Sequence, residues 1–349
     1  MRRSSDRSIE AVAPLRISFV GGGTDFPHWF DQHGGAVVSA TIDHAVRVTV
    51  TPRADRRVRV RSVDLDRWVT YDLDDGPRHG GVLDLATAAI HRVGAPFGID
   101  VETHSDAPAG SGLGGSSALV TAMVAALHML AGRAATAEQV ARLAYTIERH
   151  DLAISGGWQD QYAAAFGGAN LMEFSSSGAR LTPLALPAER VDAIERRLLL
   201  CYTGRVRRNV GLIDRQIAMH DEGREETHQG MKELHEMAYV VRGVLEAGDL
   251  AALGACLDQA FAAKKRMNPH VTEETPIEAM LEAARAAGSD GGKICGAGGG
   301  GYLLIACAPE RRAVVSSALV SLGGQLAPFS LFTSGVRAHR ATEEWAPTA

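Results

Sequence analysis

The feature that most constrains this 349-residue chain is a glycine-rich segment directly before a long apolar stretch. Residues 108–117 have the sequence Pro-Ala-Gly-Ser-Gly-Leu-Gly-Gly-Ser-Ser, and residues 118–131 are apolar apart from Thr121 and His128. Glycines let backbone N–H groups converge on an anion, and the N-terminus of a following helix adds partial positive charge. The pattern predicts a phosphate-binding loop that leads into a buried helix, although a glycine-rich turn with a serine cap would have the same pattern.

Two further glycine clusters favour the phosphate-binding interpretation. Residues 21–23 are all glycine and precede Thr24 and Asp25, and residues 296–301 (GAGGGG) follow Lys293-Ile-Cys and precede an apolar strand. No lysine follows the first loop in a GK[ST] pattern, so it is not a Walker loop. Three such loops in one chain suggest that they share a ligand.

A candidate catalytic carboxylate lies in residues 156–162 (GGWQDQY), where Asp160 follows a Gly-Gly turn and opens an apolar segment. A carboxylate in this position could orient or deprotonate a hydroxyl group. It could equally be the N-cap of a helix, because aspartate is among the preferred capping residues. Position alone does not separate the two interpretations.

Local patterns predict a mixed first half and a mostly helical second half. A capping box at Thr136 and Gln139 starts a helix whose apolar face includes Val140 and Ile147 and leaves Glu148 at its margin. The alternation of arginine and valine in residues 57–61 predicts a half-exposed edge strand. The other predicted elements are strands at 15–20, 36–50 (in two stretches), 99–103, 198–202, 302–307 and 326–332, and a helix at 82–93.

Composition excludes several classes of function. The net charge of -5, the pI near 6.2 and the aromatic content of 5% make nucleic acid an unsuitable partner. The longest apolar run is too short to span a bilayer, and the basic first eight residues have no apolar run after them, so we expect no membrane or secretion segment and a cytoplasmic location. The four cysteines form no CxxC pair, which predicts reduced, buried thiols and no zinc site.

The three glycine motifs, in their order along the chain, resemble those of the GHMP kinases, the group of galactokinase, homoserine kinase, mevalonate kinase and phosphomevalonate kinase. The resemblance covers residues 13–25, 108–117 and 293–301. It implies an α+β, two-domain GHMP kinase fold, with a mixed N-terminal β-sheet and helices in residues 9–185 and a ferredoxin-like α/β domain in residues 186–340.

Four shorter segments resemble the heptose 7-phosphate kinase branch of this family more closely. They are residues 21–25 (GGGTD), 40–43 (ATID), 157–162 (GWQDQY) and 202–204 (YTG), and Trp158 departs from the branch pattern. This resemblance implies an enzyme that transfers the γ-phosphate of ATP, with Mg²⁺, to the anomeric hydroxyl of D-glycero-D-manno-heptose 7-phosphate. We expect no nucleic-acid or membrane partner, and the sequence leaves the oligomeric state open.

The family's roles transfer to matching residues of this chain. Asp160 would orient or deprotonate the acceptor hydroxyl, Arg16 would hold that carboxylate ionised, and Ser117 (alternatively Ser116) with Glu148 would bind Mg²⁺. The residues implied for the nucleotide are Pro108, Gly110, Ser111, Gly112, Leu113, Gly114, Gly115, Ser116, Ser117, Gly296, Gly298 and Gly299. The residues implied for the sugar phosphate are Gly23, Thr24, Asp25, Asp43, Gly157, Gln159, Arg207, Lys264 and Lys265.

Several alternatives stay open at this level. Asp43 could be a strand-end cap, and arginines and lysines are most often solvated surface residues. The acceptor could be an unphosphorylated sugar of the fucose, galactose or arabinose type, which dependence of turnover on the substrate phosphate would reveal. A catalytically silent relative that binds ATP and sugar is disfavoured, because the full set of catalytic residue types is present.

Overall fold

The computed structural model describes residues 8–76, 80–205 and 211–341. The elements of the first half, in chain order, are β1 (Ile9–Val20), α1 (Pro27–His33), β2 (Gly35–Pro52), β3 (Arg57–Ser62), β4 (Arg67–Asp72), α2 (Asp84–Val93), β5 (Ile99–Ser105), α3 (Gly115–Leu130), α4 (Ala137–Thr146), α5 (Gln159–Phe166), β6 (Ala169–Ser175) and β7 (Gly178–Pro183). A π-helical turn, Ile147–Asp151, continues α4.

The second half is mostly helical, as predicted. Its elements are α6 (Ala188–Arg197), β8 (Leu198–Tyr202), α7 (Leu212–Asp221), α8 (Glu225–Ala247), α9 (Leu250–Met267), α10 (Ile277–Ala286), β9 (Ser289–Ile294), β10 (Tyr302–Cys307), α11 (Arg312–Ser321), β11 (Gln325–Ala327) and β12 (Arg337–Arg340). The predicted strand at 326–332 is shorter than expected, since only β11 forms there.

The first sheet is mixed and is organised around the 18-residue strand β2. Its order is β12-β1-β2-β5-β3-β4, with β6 and β7 joined to the other end of β2, and among the described strands only the β3–β5 pair is parallel. The arginines of β3 alternate with buried valines as predicted, but β3 lies between β4 and β5, so the prediction of an edge strand was wrong. Polar and apolar residues alternate less regularly in β4, so the sequence did not predict this strand.

Helix α3 packs across the first sheet, against β1 and β2. Most of its residues are buried, because a helix that is apolar all round needs protein on every side. This central position fixes its N-terminus, where the glycine-rich loop ends. The capping box at Thr136 and Gln139 of α4 is confirmed, with both of its hydrogen bonds formed.

The second sheet is four-stranded, wholly antiparallel and ordered β11-β8-β10-β9. Among the described residues, four α-helices lie between β8 and β9, and α11 connects β10 to β11, which is the ferredoxin-like arrangement that the resemblance implied. Strand β12 then returns to pair with β1, so residues 337–340 belong to the sheet of the first half. All four cysteines are free and buried, as predicted.

Candidate active site

A cleft lies between the two halves of the chain and receives side chains from both. Its lining residues include Arg16, Ser18, Gly21, Gly22, Gly23, Asp25, Phe26, Arg149, Gly156, Gly157, Gln159, Asp160, Ile213, Gln216, Lys264, Lys293, Gly296 and Ala297. The first and third glycine motifs and the Asp160 segment therefore meet, although they are far apart in sequence.

Arg16 and Asp160 form an ion pair at the floor of the cleft. The Arg16 Nε and Nη2 atoms lie 2.8 and 2.6 Å from Asp160 Oδ1, and Gln159 Nε2 donates to the same oxygen at 3.2 Å. Arg16 Nη1 also donates to the carbonyl of Gly112 at 2.6 Å, which ties the pair to the phosphate loop. Within the described residues Asp160 Oδ2 accepts no hydrogen bond, so this oxygen is left for a ligand.

Asp160 does not cap a helix. Helix α5 begins at Gln159, Trp158 occupies its N-cap position, and Asp160 lies in the first turn. Trp158 stacks on Tyr162 at 5.7 Å and packs edge-on to Phe30, which anchors the segment in the core. The departure of Trp158 from the branch pattern is therefore a packing feature and does not alter the lining of the cleft.

The end of the phosphate loop points its backbone at the ion pair. Gly114, at φ +79°, holds the N-cap position of α3, and no side chain caps that helix, so its first N–H groups remain available to an anion. A Cβ on Gly114 would lie 3.5 Å from both Arg16 Cγ and Asp160 Cγ. The arrangement can hold a phosphoryl group next to Asp160.

The beginning of the phosphate loop packs on the third glycine motif. A Cβ on Gly296 would lie 2.7 Å from Gly112 Cα, and a Cβ on Gly301 would lie 2.2 Å from the Ser111 carbonyl oxygen. Tyr302 N donates to that carbonyl at 3.0 Å. Ser111, Gly112 and Gly296 thus hold the two loops together, while Pro108, Gly110 and Ser116 are exposed.

Three further residues implied for the nucleotide make structural contacts. Leu113 is fully buried, and its carbonyl accepts a hydrogen bond from Arg16 N at 3.0 Å. Gly298 lies against Val271, where a Cβ would come within 2.8 Å of the valine Cβ, and the neighbouring Gly299 N donates to the Val271 carbonyl at 2.8 Å. These contacts shape the loops that would surround the phosphates.

Glu148 is buried beside Ser117, and Gln161 connects them. The amide nitrogen of Gln161 donates to Ser117 Oγ at 3.1 Å and to Glu148 Oε2. The expectation that Glu148 lies at the margin of a buried face was wrong: only 1% of it is exposed, because the π-helical turn redirects it inward. Burial raises the pKa of Glu148, as expected for a carboxylate taken out of water.

A serine hydroxyl and a carboxylate are hard oxygen ligands of the kind that Mg²⁺ prefers. The exposed Ser116 does not contact Glu148, so the observed geometry favours Ser117 of the two serines. Within the described residues no group of three or more His, Cys, Asp or Glu side chains could hold a metal by itself. A cation bound by Ser117 and Glu148 would therefore need nucleotide phosphates or water to complete its shell.

Asp25 forms a second, buried carboxylate in the cleft. It accepts hydrogen bonds from Gly23 N and Gln159 N, both at 3.0 Å, and burial raises its pKa. A Cβ on Gly157 would lie 1.9 Å from Asp25 Oδ2, so this position requires glycine. Thr24 has a different place: it is fully buried and donates to the carbonyl of Gly21, which holds the turn and does not line the cleft.

Two buried lysines line the same cleft without a carboxylate partner. Lys293 Nζ donates to the carbonyls of Ser18 and Ile294, and the side-chain ammonium of Lys264 makes no hydrogen bond or ion pair with any described residue. Burial lowers the pKa of Lys264 to about 7 and that of Lys293 to about 8. Unpaired buried ammonium groups are costly, so the cleft is suited to an anion.

Arg149 is a cleft residue that the sequence interpretation missed. It follows Glu148 in the π-helical turn, and its Nη1 donates to the carbonyl of Ile154 at 3.1 Å, while its buried Nε has no hydrogen-bond partner in the part of the chain that the structure describes. Only its position next to Glu148 could have indicated it.

Two further residues expected at the sugar phosphate, Asp43 and Lys265, lie outside the cleft. Asp43 lies in the interior of β2 and exchanges hydrogen bonds with the backbone of Ser330 outside the cleft, so it is not a strand-end cap either. Lys265 lies on the surface of α9 and pairs with Glu278 at 2.7 Å, because consecutive helical residues point about 100° apart. Arg207 lies outside the described residues.

The fold and this site define a kinase of the GHMP class. The model of the GHMP kinase N-terminal domain matches residues 82–168, and the model of the C-terminal domain matches residues 219–321. The chain belongs to the GHMP kinase family, and its enzyme class is that of an ATP-dependent kinase. No helix of the described residues is long and apolar enough to cross a membrane.

Individual proteins that are similar to this chain include two heptose phosphate kinases and a fucokinase. The chain is 31% identical, over 96% of its length and 99% of the relative's, to the D-glycero-alpha-D-manno-heptose 7-phosphate kinase of Campylobacter jejuni. The crystal structure of a D-glycero-D-manno-heptose 1-phosphate kinase from Bacteroides thetaiotaomicron is 28% identical, with a TM-score of 0.79 over 97% of this chain and all of that one. The L-fucokinase/L-fucose-1-P guanylyltransferase of Bacteroides fragilis is 27% identical over 89% of this chain, which spans 36% of that protein.

Proposed function

We propose that this chain transfers the γ-phosphoryl group of ATP to the anomeric hydroxyl of D-glycero-D-manno-heptose 7-phosphate, giving the 1,7-bisphosphate for nucleotide-activated heptose synthesis. The observation that carries the proposal is the buried, unpaired Lys264 in a cleft that also holds the Arg16–Asp160 pair. Full-length similarity to the Campylobacter enzyme supports it. A reaction that consumes ATP and a sugar phosphate is consistent with the expected cytoplasmic location.

The chemistry assigned to Asp160 follows from its two oxygens. Three N–H donors hold Oδ1 and fix the orientation of the carboxylate, and Oδ2 is free to accept the proton of the acceptor hydroxyl. As that proton moves to Oδ2, the hydroxyl oxygen forms a bond to the γ-phosphorus and the bond from phosphorus to the β,γ-bridging oxygen breaks. Positioning contributes more than basicity, because phosphoryl transfer demands mainly alignment and charge neutralisation.

The donor side of the site consists of the α3 N-terminus and the proposed Mg²⁺ ligands. The free N–H groups after Gly114 would bind phosphate oxygens, and Ser117 with Glu148 would hold Mg²⁺. Bound there, the cation supplies charge neutralisation for the phosphates. The packing of the phosphate loop on the third glycine motif keeps these N–H groups aligned with the Arg16–Asp160 pair.

The acceptor side of the site consists of Asp25, Gln159 and Lys264. Asp25 and the unpartnered Oε1 of Gln159 are hydrogen-bond acceptors for sugar hydroxyls. Lys264 would pair with the phosphate that the sugar already carries. Arg207 is retained as a second candidate for that phosphate on the resemblance alone.

The second candidate is a 1-kinase for an unphosphorylated sugar, which the similarity to a fucokinase favours. ATP consumption coupled to ³¹P NMR of the product separates the two candidates when heptose 7-phosphates and free hexoses are compared. The proposal expects a new anomeric phosphate only with the 7-phosphorylated heptose. Turnover of free sugars alone would reject it.

The same assay tests the role of Asp160. Asp160→Asn should abolish most turnover, because proton transfer to a positioned side chain contributes about 10²–10⁴-fold. Asp43→Asn is the matched control, since Asp43 lies outside the cleft, and it should turn over like the wild type. Equal activity of both variants would refute the assignment of Asp160.

A further inference from the structure

Gln161 lies between the two side chains proposed to hold Mg²⁺. It is completely buried, and its one amide nitrogen donates to both Ser117 Oγ and Glu148 Oε2. An amide N–H₂ group has two protons, so both hydrogen bonds can form at once. Gln161 therefore fixes the separation and orientation of the hydroxyl and the carboxylate.

The carbonyl oxygen of the same amide has no partner. Gln161 Oε1 is buried and accepts no hydrogen bond within the described residues. Buried polar atoms are nearly always satisfied, so an orphaned acceptor beside two hard oxygen ligands indicates a donor that binds together with the nucleotide. Water molecules in the shell of Mg²⁺ are such donors, because Mg²⁺ keeps several of its waters.

Gln161 also follows Asp160 directly in the first turn of α5. Asp160 faces Arg16 in the cleft, and Gln161 faces Ser117 and Glu148. One helical turn thus carries both the carboxylate proposed to act on the acceptor and the amide that contacts the proposed cation ligands. A shift of α5 would disturb both sides of the phosphoryl transfer.

We propose that Gln161 is a positioning residue for the nucleotide-bound cation, holding Ser117 and Glu148 in place through its N–H₂ group and accepting from a metal-bound water through Oε1. The inference rests on the Mg²⁺ site of the proposed function. Such outer-shell partners typically change metal affinity by about 10–100-fold when they are removed.

The test is the affinity for Mn²⁺, measured by electron paramagnetic resonance of free Mn²⁺ in the presence of saturating AMPPNP. Gln161→Met, which keeps the length of the side chain and removes its polar atoms, should bind Mn²⁺ about 10–100-fold more weakly than the wild type. Its affinity for AMPPNP in EDTA should stay within about twofold of the wild type. Gln229→Met, on the exposed face of α8, is the matched control and should change neither value.

A folded Gln161→Met with wild-type Mn²⁺ affinity would overturn the inference, and so would an equal loss of metal-free AMPPNP binding. If Gln161→Met does not fold, Gln161→Asn retains the amide but withdraws it by one methylene, and it should show the same loss. Glu148→Gln tests the proposed metal site independently of the role of Gln161. Wild-type Mn²⁺ affinity in that variant would reject the proposed metal site itself, whichever result Gln161 gives.

Discussion

Replacing Lys264 with methionine should stabilise the ligand-free protein and weaken its binding of a phosphorylated acceptor. The ammonium is buried and unpaired within the described residues, and methionine fills a similar volume without a charge. The two effects have opposite signs because the charge is costly in the empty cleft and favourable only when an anion is bound. Lys265→Met is the matched control, since that neighbouring lysine is exposed and pairs with Glu278.

The magnitude follows from the pKa of Lys264, which burial lowers from 10.5 to about 7. Each pKa unit corresponds to 1.36 kcal/mol, so keeping this lysine buried costs the folded state roughly 4 kcal/mol at neutral pH. The unfolded chain binds more protons than the folded one between pH 7 and about 10, so the cost shrinks as the pH rises. Lys264→Met should therefore be more stable by a few kcal/mol at pH 7 and by much less at pH 9.5.

Urea denaturation at the two pH values measures the stability, and steady-state kinetics measures the acceptor. Losing a hydrogen bond to a charged group costs about 1.5–3 kcal/mol, so KM for the sugar phosphate should rise roughly 10- to 100-fold. Lys265→Met should leave KM and, within about 0.5 kcal/mol, the stability unchanged. A Lys264→Met variant with unchanged KM for the phosphorylated sugar would refute the assignment of this lysine to the acceptor phosphate.

Three further predictions concern the loops and the cation. Gly157→Ala places a Cβ 1.9 Å from Asp25 Oδ2, so it should lower the free energy of unfolding by about 1–3 kcal/mol and raise the KM for the acceptor. The control Gly243→Ala, in open space on α8, should be neutral or slightly stabilising in the same denaturation assay. Gly296 has a φ of +65° and packs against the phosphate loop, so Gly296→Ala should lower kcat and ATP affinity together. A wild-type kcat in this variant would contradict the role of this packing in aligning the phosphate loop. Because burial raises the pKa of Glu148 and a cation requires its ionised form, Mn²⁺ affinity should rise with pH until that carboxyl is fully ionised, and Glu148→Gln should lose this dependence in titrations at several pH values.

The amino-acid sequence by itself determined the elements whose signal is local. Alternating arginine and valine produced β3, the Thr136 capping box began α4, and an all-round apolar stretch produced a buried helix with an uncapped N-terminus for an anion. The pairing of Arg16 with Asp160 followed from motif order rather than from spacing. These predictions succeeded because each depended on neighbouring residues or on a family pattern.

Only the tertiary structure decided which side chains meet in the cleft. Lys264 and Lys265 are adjacent and chemically alike, but helix geometry buries the first and exposes the second. The helical spacing of Leu250, Leu257 and Met267 indicates the buried face of α9, but only the tertiary structure shows that Lys264 on this face lines the cleft. The π-helical turn that buries Glu148 and the amide of Gln161 that holds it depend on contacts between α4, α3 and α5. Contacts between distant segments have no signature in a single sequence, because the chain carries its local preferences while packing selects among them.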